Sequence, residues 1–149
     1  MKRILLIMMI GVVNIFSAQS LNENISFKNL TQEENIQIEK IKGLLTQSKI
    51  IIIKDCKLIN YDNCIDEYTI VYLYNNKPVL IDQIEFSFIR AYVSNGTEET
   101  SNYITKTRIY ITDWENSKFI GKTIRLSQHG KSESSPYLNK HEIEAKIKR

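Results

Sequence analysis

From Ile50 to Leu126 the chain is written in strand pattern with little interruption, and this run constrains the fold more than any other feature. It opens with four consecutive β-branched residues, Ile50–Ile53, a pattern that predicts a buried strand. Tyr68 to Tyr74 predicts a second strand, closed by Asn75-Asn76-Lys77-Pro78, residues with good turn chemistry. Val79 to Ile81 resumes the pattern. Ile84, Phe86, Phe88 and Tyr92 then alternate with Glu85, Ser87 and Ile89, as one long strand with an apolar face would. Asn95-Gly96 is a hairpin signal, inside polar sequence that continues to Asn102. Tyr103 to Thr112 returns as a strand rich in Thr, Ile and Tyr. Asp113 to Lys118 is a turn containing Trp114, and Phe119 to Leu126 is the last clear strand. Gln128 to Ser135 reads as a polar loop.

One helix precedes this run. Thr31 and Glu34 form a capping box, in which the hydroxyl accepts from a backbone N–H and the carboxylate reaches back to the cap's own N–H. Ile38, Ile41, Leu44 and Leu45 follow at helical spacing, and the helix is expected to end near Ser48. In the C-terminal segment Ile143, Ala145 and Ile147 alternate with charges as a strand would. A helix is preferred, because Asn139 can cap it, Leu138 can pack on Ile143, and Glu142 and Glu144 stand four residues before Lys146 and Lys148.

The element order predicts an α+β domain: one N-terminal helix packed on a curled antiparallel sheet of about five to six strands. In that order of elements the chain resembles the cystatin-like and NTF2-like folds. A β-sandwich with an appended helix is the alternative arrangement. Residues 31–149 are read as a single globular domain, and residues 19–30, polar and rich in Asn, as an extended leader.

Residues 1–18 read as a signal peptide. Lys2 and Arg3 precede an apolar run, and Ser17-Ala18-Gln19 offers small residues for cleavage. A membrane anchor is the competing reading, but the run from Ile4 to Phe16 is 13 residues, against the roughly 20 that a spanning helix needs. The expected location is therefore the periplasm or the exterior, with no stable membrane insertion after cleavage. Removing Lys2 and Arg3 from the 20 basic residues leaves 18 against 17 acidic ones, a net of +1. That balance lacks the electrostatic footprint of a nucleic-acid binder. Cys56 and Cys64 are the only two cysteines, and in an oxidising compartment such a pair is expected to form a disulfide; two free thiols are the alternative.

No motif for catalysis, metal or cofactor emerges. His129 and His141 fit no ligand spacing. Asp62, Asp66 and Glu67, with Asp55 nearby, form an acidic cluster, but the spacing of an EF-hand and its central Gly are missing. Ser127-Gln128-His129-Gly130 brings Ser and His together in sequence without a nucleophile elbow. The aromatic distribution says more. Tyr68, Tyr72 and Tyr74 share one face of a strand, with Trp114 in a later turn. Exposed, such residues offer amphipathic surface to a partner; half-buried strand residues are the plain alternative. These features predict a small exported non-enzymatic protein that engages an unknown protein partner through a tyrosine-rich sheet face. The alternatives are a carrier with an apolar pocket lined by Ile84, Phe86, Phe88 and Tyr92, and a structural protein of the cell envelope.

Overall fold

A computed structural model describes residues 25–60, 63–92, 95–96 and 98–149, with the side chains of 57–60, 63–64, 88–92 and 98–101 outside the description. The expected signal peptide, the start of the leader, and Tyr61 and Asp62 lie outside the described residues.

The first helix, α1 (Gln32–Leu44), starts as its sequence dictates. The Thr31 hydroxyl accepts from the Glu34 N–H at 3.1 Å, and the Glu34 carboxylate accepts from the Thr31 N–H at 2.8 Å. One 3-10 turn, Leu45–Gln47, ends it. Six strands follow: β1 (Lys49–Asn60), β2 (Asn63–Tyr74), β3 (Lys77–Tyr92), β4 (Glu98–Asp113), β5 (Lys118–Ser127) and β6 (Gly130–Ser134). A second helix, α2 (Lys140–Ile147), is capped by the Asn139 side chain, which accepts from the Glu142 N–H at 3.1 Å.

All six strands form one antiparallel sheet in sequence order. The two-sheet sandwich is therefore not the arrangement of the described residues. Asn75 and Asn76 both take positive φ, 50° and 61°, as the two-residue turn between β2 and β3 requires. Lys77 and Pro78 belong to β3 rather than to the turn, and Pro78 stands beside the register shift at Tyr72/Leu73, where a missing N–H donor is tolerated.

Because side chains alternate across a strand, the register sorts β1 to β5 into two faces. On the even-numbered face, Leu80 and Tyr110 bury against Ile38 and Ile41 of α1, with Phe27, Leu30 and Tyr72 packed around them. On the odd-numbered face, Val71, Leu73, Ile81, Ile109 and Ile111 bury against Ile143 of α2, with Leu138 and Ile147 alongside. The sheet thus carries a helix on each side, where a single helix on one face was expected. Fully burying aliphatic side chains such as Val71, Ile81 and Ile109, all at 0 % exposure, stabilises the fold by about 1.5–3 kcal/mol each. Gly121 lets the segment leading to α2 cross β5: a Cβ there would stand 2.5 Å from Pro136 Cγ and 3.2 Å from the Arg108 carbonyl oxygen.

Two strand expectations are corrected. The Gln128–Ser135 segment contains β6, a short strand exposed along its whole length, so no apolar period marks it. The Ile50–Ile53 run is not a buried central strand. It lies on β1, at the sheet's edge, with Ile50 52 % and Ile52 67 % exposed. An apolar run cannot by itself distinguish a central strand from an edge.

Candidate functional site

The helices cover only part of a sheet whose longest strands run for 16 residues. Beyond them, the pairings lay out the side chains in rows across the strands.

On the even face, the row after the α1 contacts is Ile52, Ile70, Asp82, Arg108 and Lys122. Arg108 grips Asp82 with two parallel bonds, Nε to Oδ1 at 2.8 Å and a terminal nitrogen to Oδ2 at 2.7 Å. The Asp82 carboxylate is 6 % exposed and the Arg108 side chain 21 %. These bonds outweigh burial and hold the guanidinium well above its ordinary pKa. Burial, followed by the Asp82 charge, raises the Tyr72 phenol. Lys122 pairs with Glu133 at 2.7 Å and donates to the Ser26 carbonyl at 2.8 Å, tying the leader to β5.

The next row holds Lys54, Tyr68, Ile84, Lys106 and Ile124, and the row after it Phe86 and Ile104. Tyr68 and Phe86 are half-buried and meet edge to face, with centroids 6.1 Å apart and planes at 90°. The Lys54 ammonium sits 5.5 Å from the Tyr68 ring centroid. Ile84 beneath them is 3 % exposed. With Ile50 and Ile52 at its margin, this is an aromatic and aliphatic stretch past the α1 core, in which Ile84, Lys106 and Ile124 are buried and Tyr68 and Phe86 half-buried.

The odd face is different. Its rows beyond α2 run Thr69, Gln83, Thr107 and Thr123, then Asp55, Glu67, Glu85, Thr105 and Arg125. Thr107 and Thr123 share a hydroxyl–hydroxyl bond of 2.9 Å, and Arg125 donates to the Thr105 hydroxyl and stacks 5.6 Å from the Tyr103 centroid. Lys146 of α2, only 10 % exposed, reaches Asp55 at 2.8 Å, Glu67 at 3.2 Å and Glu142 at 3.5 Å. Burial pulls its pKa down, but the hydrogen bonds it donates to Asp55 and Glu67 more than offset this and leave it raised.

The four aromatics picked from the sequence are not brought together. Tyr68, Tyr72 and Tyr74 occupy the even positions of β2, with Tyr72 packed against the α1 core and Tyr74 next to the turn. Trp114 packs on the α2 core from the opposite side, with the Lys140 ammonium 5.2 Å from its ring. What sequence reasoning missed is the partnership of Tyr68 with Phe86 and Lys54. Those residues are 14 to 32 positions apart, so only the register joins them.

The remaining candidates have local roles. The Ser127 hydroxyl accepts from the His129 N–H at 3.1 Å and donates to the Gly130 carbonyl at 3.2 Å, closing the β5–β6 turn. His141 is exposed and 3.7 Å from Glu144. Among the described residues no group of three His, Cys, Asp or Glu is placed to hold a metal, and no helix is long and apolar enough to cross a membrane. One groove, of about 670 Å³, lies between the leader and β5–β6, and neither Ile84 nor Phe86 lines it. Phe88 and Tyr92, also expected in a carrier pocket, have side chains outside the described residues. The side chain of Cys64 is outside the described residues, and the register places its backbone opposite Leu58, two residues from Cys56.

No family model, no curated protein and no solved structure matches the chain.

Proposed function

We propose that this is a small exported, non-enzymatic binding protein that holds a protein partner on the even face of its sheet. The observation that carries the reading is the half-buried Tyr68–Phe86 pair beside the exposed Lys54, in the rows past the α1 core. Amphipathic rings on a rigid sheet offer large contact area at little entropic cost, and aromatic residues dominate binding hot spots. A partner presenting apolar side chains with a carboxylate for Lys54 fits this surface. The reading narrows the tyrosine expectation to Tyr68; Tyr72 supports it from beneath α1, and Trp114 lies on the other side of the sheet.

Export through the N-terminal signal, and a disulfide between Cys56 and Cys64, belong to the same proposal. The signal is carried by the sequence of residues 1–18. The disulfide is supported by the strand register, which sets Cys64 opposite Leu58, two residues from Cys56, and by the presence of a single other cysteine.

Native mass spectrometry of the protein taken from its host's envelope fraction tests these points together. The expected result is a chain cleaved near Ala18, about 2 Da lighter than its reduced form, carrying a second polypeptide at fixed stoichiometry. Tyr68→Ala is expected to weaken that complex by roughly 30-fold, a loss of about 2 kcal/mol. A complex that tolerates both Tyr68→Ala and Phe86→Ala refutes the assignment of this face.

A further inference from the structure

We infer that the outer edge of β1 is a docking edge for a second copy of this chain, which adds to it as an antiparallel strand about a two-fold axis at Ile52. The inference goes beyond the proposed partner face, because it uses the backbone edge of β1 rather than the Tyr68–Phe86 pair.

The two edges of the sheet are built in opposite ways. The β6 edge has five residues, Gly-Lys-Ser-Glu-Ser, all exposed. Short and charged, it is the kind of edge that resists pairing. The β1 edge has 12 residues, and its exposed even positions begin with two aliphatics, Ile50 at 52 % and Ile52 at 67 %, before Lys54 and Cys56. No described strand pairs with its outer side. A long edge with an exposed aliphatic stretch is a template for another strand.

Charge selects the occupant and its register. Pairing two copies about Ile52 sets Lys49 opposite Asp55 and Ile50 opposite Lys54, with Ile51 facing Ile53 and Ile52 facing itself. Each Lys49–Asp55 contact joins opposite charges and occurs twice, as an isologous interface requires. The Asp55 side chain, bridged by Lys146, is 33 % exposed. Moving the axis to the bond between Ile51 and Ile52 sets Lys49 against Lys54, and moving it to Ile53 sets Lys49 against Lys57. Like charges directly opposed across strands are destabilising. The Ile52 axis also keeps even face with even face, so the two sheets of six strands continue as one. About seven residues of each copy would pair, over roughly 23 Å.

Sedimentation velocity of the mature chain across the micromolar range tests the inference. The expected species is a dimer. Ile52→Lys brings two ammonium groups together at the axis and is expected to weaken the dimer by at least about 100-fold, given the several kcal/mol that like-charge juxtaposition costs. Ile52 is exposed, so the circular dichroism spectrum and Tm should not change. Ile36→Lys, which adds the same charge at an exposed site on α1 (62 % exposed), is expected to leave the dimer intact, as is Tyr68→Ala. Lys49→Glu, which sets two acids face to face, is expected to weaken it. A monomeric wild-type chain overturns the inference, as does a dimer that survives Ile52→Lys or one that Ile36→Lys also dissociates. Dissociation by Tyr68→Ala alone would assign self-association to the partner face and overturn the edge assignment.

Discussion

Replacing Asp82 by alanine is the sharpest test of how the middle of this sheet is held. Both carboxylate oxygens bond Arg108, at 2.8 and 2.7 Å, and the carboxylate is 6 % exposed. Removing it leaves a guanidinium, 21 % exposed on its side chain, without its partner in the row beside the α1 core. Breaking a buried pair in this way costs about 3–5 kcal/mol. Arg108 reaches solvent along part of its length, so the lower half of that range is expected. Against a total stability of about 5–15 kcal/mol for a domain of this size, such a loss lowers Tm by roughly 10–20 °C. Urea unfolding followed by tryptophan fluorescence would read it, and the chain has one Trp. The second arm removes both charges. Asp82→Leu with Arg108→Met should recover most of the loss, because neither variant side chain carries a desolvation penalty. A cost below about 1 kcal/mol for Asp82→Ala would refute the reasoning, since exposed, screened pairs have that value.

Three further outcomes follow from the same geometry. Lys146→Met should destabilise the chain at neutral pH by about 2–4 kcal/mol, by leaving Asp55 and Glu67 without their shared cation. The folded pKa of Lys146 is raised, so its contribution is full below the unfolded value of about 10.4 and fades as pH climbs through the folded one. Urea midpoints of wild type and Lys146→Met should therefore converge at strongly alkaline pH, and a gap that stays constant there would count against the mechanism. Gly121→Ala should cost about 1–3 kcal/mol, because its Cβ would meet Pro136 and the Arg108 carbonyl; hydrogen exchange should show the amides of α2 losing protection before those of α1. Cys56→Ser should lower stability by about 2–3 kcal/mol if the proposed short loop is closed, and an equal melting temperature for oxidised wild type and the variant would remove the disulfide from the account.

The elements of this fold were legible where local chemistry specifies them. Thr31 and Glu34 announce α1, Asn139 announces α2, and the Asn75-Asn76 pair announces a turn that needs positive φ at both positions. The layers were less legible. Ile143 and Ile147 show that the C-terminal helix has an apolar stripe, but nothing local says which side of the sheet receives it. β6 was hidden because a strand exposed on both faces carries no period. The candidate surface was half visible. The strand alternation places Tyr68 and Phe86 on apolar faces of their own strands, while their contact depends on Tyr68 standing opposite Ile84, a register fixed by the turn between β2 and β3. The same dependence explains why Trp114 looked like a companion to the tyrosines and is not one.

The two faces also explain why one of them suits a partner. Each helix cover ends at a buried charge: Asp82–Arg108 in the row beyond the α1 contacts, and Lys146 with Asp55 and Glu67 beside α2. Away from the two apolar cores the same strands present opposite chemistries. The odd positions satisfy one another, as in the Thr107–Thr123 bond and the stack of Arg125 on Tyr103. A surface whose polar groups are already paired gains little when another protein covers it. The even positions leave apolar area open, with Ile50 and Ile52 more than half exposed and Tyr68 and Phe86 half-buried. Covering such area is favourable by about 25 cal/mol per Å². The asymmetry thus favours the even face for association, and the period of two along each strand is enough to produce it.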